Sequence, residues 1–315
     1  MKISFITTVL NEEKSVINLL GSLNSQTVLP DEVIITDGGS TDKTLSVISN
    51  FKFQISNKII KFKVLSKTGN RAVGRNAAIG ESSGEIIVCT DAGCILDKNW
   101  IKNITTPFKS GNIDVASGFY VPRTKGVFQK ALASYTSVMP DKLDPQNFLP
   151  SSRSIAFRKD VWRKIGGYPE WLNTCEDLYF ARELQKKRFV FKTVKDAIVF
   201  WPQRKNFTEA FIQFYNYALG DGTARYFRKT TPFLYTRYAL GVALLILVFL
   251  TKSVLLTYAL GLLFVLYLLW SIQKNYRYVN HPQAILILPA LQLVSDVAVL
   301  SGTTIGILKS YLVKR

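Results

Sequence analysis

The first hundred residues alternate between two hydrophobic patterns. Residues 3–9 form a continuous apolar run of strand length, residues 13–25 repeat apolar positions at helical spacing (Val16, Ile17, Leu19, Leu20, Leu23), and residues 32–36 are again β-rich. The alternation continues with a helix predicted over 44–50, a strand over 62–65, a helix over 71–80 and a continuous apolar strand over 85–90. Strands separated by helices predict a parallel sheet with crossover helices, and such sheets bind ligands where loops leave the carboxyl ends of the strands. The polar segments fall at those ends: Asn11-Glu12-Glu13 after the first strand, residues 37–42 after the second and Asp91 after the strand over 85–90. One site built from three strand ends follows.

Residues 101–224 are less regular. A loop is expected over 140–150, strands over 154–157 and 197–201, and helices over 178–187 and 208–218. Two nearly unbroken apolar runs then cover 233–250 and 253–270. Each is roughly 27 Å long as a helix, close to the ~30 Å of a hydrocarbon core, and neither offers a polar face to water. A third run, 284–308, is interrupted by Pro289, Gln292, Ser295 and Asp296. An unpaired Asp in lipid costs about 3 kcal/mol, so a re-entrant or interfacial helix stands beside a full span.

The chain has 315 residues, with 40 Lys and Arg against 22 Asp and Glu, for a formal charge of +18. Such an excess suits either nucleic acid or anionic lipid. Its distribution decides: residues 222–315, the most apolar part, hold ten basic residues and one acid, Asp296. An ordinary nucleic-acid-binding domain is excluded by that coincidence. Arg225, Arg228, Lys229 and Arg237 precede or open the first run, Lys274 and Arg277 follow the second, and Lys252 alone lies between. Both outer flanks are therefore expected in the cytoplasm, together with residues 1–224. A full third span would put Lys309, Lys314 and Arg315 on the far side, which favours the re-entrant or interfacial form. The expected division is a cytoplasmic domain over 1–224 and a membrane-associated helical region over 225–315, with helices near 233–251, 253–271 and 284–308.

Three cysteines, 89, 94 and 175, do not make a disulfide framework and fit a reducing compartment. A single histidine, His281, excludes a histidine metal cage and argues against Ser-His or Cys-His nucleophiles, so any catalysis must rest on carboxylates. Residues 3–10 are too short for a targeting segment and lack a cleavage site.

The densest chemical signal is Asp37-Gly38-Gly39-Ser40-Thr41-Asp42, a strand ending in Asp, a Gly pair for a tight turn, and capping residues for the next helix. Together with Thr8-Val9-Leu10-Asn11-Glu12 it resembles the family 2 glycosyltransferases of the GT-A fold, whose first strand ends in Pro-x-x-Asn-Glu and whose second ends in Asp-Asp-Gly-Ser-x-Asp. The chain departs from that pattern at Thr8 and Gly38. Gly69-Asn70-Arg71-Ala72-Val73-Gly74-Arg75-Asn76 is similar to a further family segment, and Asp91-Ala92-Gly93 stands where the family commonly has Asp-x-Asp. The last element, Gly166-Gly167-Tyr168 leading to Glu176-Asp177, matches the segment in which the family's Asp is the catalytic base of inverting members.

The resemblance implies an α/β GT-A fold, a Rossmann-like nucleotide-sugar-binding mixed sheet flanked by helices, followed by an α-helical membrane region. It assigns catalysis to Asp177 and Glu176, and nucleotide-sugar binding to Thr8, Glu12, Asp37, Gly39, Arg75, Asp91 and Ala92. Asp91 would bind a divalent cation, Mg²⁺ or Mn²⁺, although Gly93 replaces the second carboxylate. Arg75 is suited to face a diphosphate or to hold Asp91. Gln203 and Arg204 are candidates for the acceptor or diphosphate, although the Gln-x-x-Arg-Trp spacing of processive members is missing. The implied partners are a nucleoside diphosphate sugar, with a UDP-sugar favoured, a lipid-linked or membrane-presented acceptor, and membrane lipids, without nucleic acid. Two alternatives stand beside this: transfer to a polyprenyl phosphate, and a non-catalytic nucleotide-sugar-binding membrane scaffold.

Overall fold

The computed structural model describes residues 1–55 and 61–312, so Lys314 and Arg315 of the charge argument lie outside the described residues. The chain forms two compact units, residues 1–123 with 139–202, and residues 124–138 with 203–315. In this grouping a segment at 124–138 and the helix after residue 206 fall with the apolar helices, whereas composition changes at 224.

In the first unit the predicted alternation is realised as β1 (Ile3–Val9), α1 (Val16–Asn24), β2 (Glu32–Asp37), α2 (Thr44–Ile55), β3 (Lys61–Ser66), α3 (Arg71–Glu81) and β4 (Ile86–Cys89). The short β5 (Ile95–Leu96) and α4 (Trp100–Thr105) follow, then β6 (Val115–Arg123). The pattern of the sequence hides β6, because Gly118 and Pro122 break its apolar run and its pairing shifts register between Gly118 and Phe119. After α5 (Val127–Thr136), which belongs to the second unit, the chain returns for β7 (Ile155–Arg158), α6 (Lys159–Ile165), α7 (Glu176–Lys186) and the long β8 (Phe191–Pro202).

The strands form one eight-stranded sheet in the order β3-β2-β1-β4-β7-β6-β8-β5. β3, β2, β1 and β4 run parallel, while β7 is antiparallel to both β4 and β6. Successive residues of the parallel strands serve opposite faces. Phe5, Val33, Ile35 and Val88 pack with Leu19, Leu20 and Trp100 on one side, and Ile6, Ile34, Ile87 and Cys89 pack with Ala78, Val161 and Phe180 on the other. Strands buried on both faces read as continuous apolar runs, which is why β1, β2 and β4 were legible. β1 lies between β2 and β4, so the loops after β1, β2 and β4 leave from one end of the sheet at its switch point.

The second unit contains α5, α8 (Phe207–Thr223), α9 (Thr230–Thr251), α10 (Val254–Val279) and α11 (Ala284–Ser310). Among the described residues the last three are long and apolar enough to cross a membrane. The run interrupted in sequence by Pro289 and polar residues is one continuous helix, α11. Asp296 is not unpaired: Arg237 Nη2 donates to it at 2.9 Å, Tyr238 at 2.9 Å and Gln292 at 2.8 Å, and the Tyr267 hydroxyl donates as well. Gly302 and Gly306 let α11 approach α8 closely; a Cβ at Gly306 would sit 2.4 Å from the Leu219 carbonyl, and one at Gly302 2.5 Å from that of Tyr215. Both ends of α11 lie beside one end of the α9–α10 pair. Its start follows α10 after residues 280–283, and Ser310 accepts a hydrogen bond from Arg225 Nε at 3.1 Å, just before α9. The other end of the pair, including Phe249, Leu250, Val254 and Leu255, is exposed.

Candidate active site

The loops after β1 and β2 are tied to each other by side chains. Asn11, in a left-handed conformation (φ 54°), receives a hydrogen bond at Oδ1 from Thr41 N at 2.8 Å and donates its own N–H to Ser40 Oγ at 2.9 Å. Asp37 is turned inward at 1% exposure, and its carboxylate accepts from Gly39 N at 3.0 Å and Ser40 N at 3.1 Å. Gly39 has φ 105°, a conformation that a side chain would strain. The Glu12 carbonyl opens α1 by accepting from Val16 N at 2.9 Å, and its amide is held by Thr44 Oγ1 at 2.8 Å. Thr8 packs against α3, where a Cβ at Gly74 would lie 2.7 Å from its methyl group.

α3 carries the link to the rest of the site. Arg75 is 2% exposed; its Nη2 donates to Asp91 Oδ1 at 2.8 Å and its Nη1 to Glu176 Oε1 at 2.7 Å. A surface arginine is excluded by that burial, and the reading in which Arg75 holds Asp91 is the one realised. The next residue, Asn76, fastens the Gly166-Gly167-Tyr168 loop. It donates to the Tyr168 carbonyl at 2.9 Å and accepts from Tyr168 N at 2.8 Å and Trp162 Nε1 at 3.0 Å. Gly167, at φ 85°, leaves room for this contact, because a Cβ there would meet Asn76 Oδ1 at 2.8 Å. Tyr168 stacks on Phe180 of α7 at 3.9 Å between ring centroids, which sets where α7 begins.

α7 starts from Cys175, whose left-handed φ of 69° places Glu176 and Asp177 in the first turn, where the helix dipole favours carboxylates. Glu176 is buried on Arg75. Asp177 is half-buried and accepts from Ser152 N at 3.4 Å and from Leu178 N at 2.8 Å. Burial pushes the Glu176 carboxyl above its usual range against the pull of Arg75, with Asp177 adding repulsion. At Asp91 burial acts upward too, but Arg75, then Arg153 and Arg71, overcome it and hold the carboxyl below the usual range. Burial also pushes the Cys94 thiol up to about 12, so it is not a thiolate beside Asp91.

Two contributors are not among the candidate site residues: Asn76, although it lies inside the motif over 69–76, and the turn 151–154 before β7, which has no signal of its own. In that turn Ser152 meets Asp177, and Arg153 Nε lies 3.9 Å from Asp91 Oδ2. Ala92 is buried at 3% directly after Asp91. Gln203 belongs to the second unit and is buried there, with Oε1 accepting from Thr136 Oγ1 at 3.0 Å and its carbonyl from Gln129 at 2.7 Å, while Arg204 beside it is exposed.

Among the described residues no group of three His, Cys, Asp or Glu converges as a metal cage. The donors at Asp91 are those of a cation that takes one carboxylate and completes its shell with phosphate oxygens and water, as Mg²⁺ commonly does. Gly93 has open space around it, with nothing within 4 Å of an added Cβ.

A mixed sheet with a central parallel part, nucleotide-type loops at its switch point and a trailing acidic pair defines the GT-A fold. The chain belongs to glycosyl transferase family 2: it matches that family over residues 4–166 and the glycosyl transferase family group 2 over residues 86–290. It is 26% identical to the O-antigen chain rhamnosyltransferase RfbN of Salmonella typhimurium over 212 residues, 63% of this chain and 66% of that protein. The match thus spans just under two thirds of the relative's own length. Two solved structures share the fold. S. aureus TarS 1–349 in complex with UDP-GlcNAc has a TM-score of 0.51 at 21% identity, covering 70% of this chain and 66% of that one. The mannosyltransferase PcManGT from Pyrobaculum calidifontis, in complex with GDP-Man and Mn²⁺, has a TM-score of 0.65 at 18% identity, covering 95% and 87%.

Proposed function

We propose that the chain is a membrane-attached inverting glycosyltransferase that moves a sugar from a nucleoside diphosphate sugar to a lipid-linked or membrane-presented acceptor in cell-envelope glycan synthesis. The observation that carries this reading is the Arg75 bridge, which ties Asp91, just after β4, to Glu176 at the start of α7 and so supports Asp177, the next residue, as the base. A UDP-sugar is the favoured donor, supported by the similarity to TarS, whose structure holds UDP-GlcNAc, and an envelope glycan by the similarity to an O-antigen rhamnosyltransferase.

In this mechanism the acceptor hydroxyl oxygen attacks the anomeric carbon, and the bond from that carbon to the diphosphate oxygen breaks. The Asp177 carboxylate takes the hydroxyl proton, and the nucleoside diphosphate leaves with the electron pair. Glu176 is neutralised by Arg75 and acts as a positioning residue. Asp37 and Gly39 shape the nucleoside loop, with Thr8, Glu12 and Ala92 at its borders. Asp91 would hold a divalent cation, Mg²⁺ or Mn²⁺, which when bound offsets the charge on the leaving diphosphate.

We read α9 and α10 as crossing the membrane and α11 as lying across the cytoplasmic end of that pair. The exposed apolar far end of the pair and the return of both ends of α11 to one side support this reading. Lys309 then shares the side of Arg225, Lys229, Lys274 and Arg277, as the positive-inside rule requires.

Purified Asp177→Asn should lose transfer by about two to four orders of magnitude while binding its donor normally by calorimetry. Turnover near wild type would remove Asp177 from the mechanism. Thermal stabilisation by UDP-, GDP- and dTDP-sugars, with and without Mn²⁺, identifies the donor.

A further inference from the structure

We propose that Arg71 is a donor-binding residue, whose guanidinium grips the diphosphate of the nucleotide-sugar between the Asp37 loop and Asp91; the inference rests on the donor reading above. Three arginines act on Asp91, and they are held differently. Arg75 is buried between Asp91 and Glu176 at 2.8 and 2.7 Å. Arg153 is seated over the Trp201 ring, 4.0 Å from its centroid, with Nε 3.9 Å from Asp91 Oδ2. Arg71 is exposed, and its side chain makes no hydrogen bond or ion pair among the described residues.

The place of Arg71 is fixed from two sides. It is the first residue of α3, and Asn70 caps the helix by accepting from Val73 N at 3.1 Å. Asn70 Nδ2 in turn donates to the carbonyls of Glu170 at 2.6 Å and Leu172 at 3.2 Å, which clamps the start of α3 to the loop leading into α7. On the other side, Lys67 N donates to the Asp37 carbonyl at 2.9 Å, and a Cβ at Gly38 would lie 3.6 Å from the Gly69 carbonyl. The segment before α3 therefore lies against the turn that follows Asp37. Arg71 precedes Arg75 by four residues, so the two project from one face of α3, about 6 Å apart along its axis. Arg75 reaches Asp91 and Glu176 from that face. Arg71 stands one turn nearer the nucleoside loop, and its charge still acts on both carboxylates through space.

A donor with its nucleoside at Asp37 and its leaving oxygen at Asp91 spans this interval with its two phosphates. The sequence offers Arg75 either for the diphosphate or for holding Asp91, and the fold commits it to the second task. Arg71 takes the first. An exposed guanidinium that no carboxylate holds can present two N–H groups to phosphate oxygens, and the unpaired amides in the first turn of α3 favour the same anion.

The test is calorimetric binding of UDP, GDP and dTDP to the full-length protein in detergent, with and without Mn²⁺, and an NMR titration with the nucleoside of whichever diphosphate binds best. Arg71→Gln should weaken the preferred diphosphate by about 10- to 100-fold, the range for hydrogen bonds to charged groups, and change binding of the bare nucleoside by less than about threefold. Arg71→Lys keeps the charge and should recover most of the diphosphate affinity, since an ammonium serves phosphate as a point charge. The Arg71 side chain holds no other group, so Arg71→Gln should melt like wild type. Diphosphate binding unchanged in Arg71→Gln, or an equal loss of diphosphate and nucleoside, overturns the inference and leaves the donor reading intact. A wild-type protein that binds none of the three diphosphates overturns both.

Discussion

Gly93 and its neighbours define the chemistry at the scale of single residues. The backbone at Gly93 is not in the left-handed region, and an added side chain would meet nothing within 4 Å. A carboxylate there would complete an Asp-x-Asp pair with Asp91, and metal affinity rises with the number of charged ligands. Gly93→Asp is expected to fold normally and to bind Mn²⁺ about tenfold more tightly, read by calorimetry in the presence of UDP. Unchanged Mn²⁺ affinity would dissociate Asp91 from the metal. The Glu-Asp pair is plain in the sequence, but the partner of Glu176 is not, because Arg75, which donates to it, lies 101 positions away.

At the scale of elements, each of the two units uses close backbone approach. α3 reaches β1 through Gly74 against Thr8, and α11 reaches α8 through Gly302 and Gly306. The neighbours of Gly306 are backbone atoms, Leu219 O at 2.4 Å and Thr223 N at 2.9 Å from an added Cβ, so they cannot rotate away as a side chain would. Gly306→Leu should lower stability by about 1–3 kcal/mol, the usual cost of overpacking, seen as a lower melting temperature in detergent. Gly241→Leu and Gly261→Leu are the controls, because nothing lies within 4 Å of either position, and both should melt like wild type. A similar drop in all three variants would assign the effect to helix substitution in general. The short elements α4 and β5 and the broken β6 escaped the hydrophobic pattern, since six residues, two residues and a register shift each fall below what periodicity can register.

At the scale of the whole molecule, charge and apolarity together support the proposed orientation. The end of the α9–α10 pair that carries Lys252 is bare, while the opposite end carries α11 and most of the basic residues of the region. With α9 and α10 crossing and α11 at the surface, a cysteine placed at Ser253 in a chain freed of Cys89, Cys94 and Cys175 should be labelled by an impermeant reagent only from outside the cell. Cysteines at Gln283 and Leu312 should be labelled only after the membrane is opened. Labelling of Leu312→Cys from outside would establish α11 as a third crossing. The cost assigned to Asp296 in lipid does not arise in this arrangement, because Arg237, Tyr238, Tyr267 and Gln292 satisfy it within the helices.

The sequence by itself determined whatever is periodic or local. It specified the alternating strands and helices, the acidic residues at three strand ends, the order of the motifs and the length of the apolar runs, because burial on one face or two writes a period into neighbouring residues. Tertiary structure decided what depends on residues far apart in the chain. It set Arg153 on Trp201, fastened Asn76 to the loop at Gly167, committed Glu176 to Arg75, paired Asp296 and joined α8 to α11. Those contacts obey no period, since each is formed by elements that the sheet order and the helix packing bring together, and their chemistry exists only once the chain is folded.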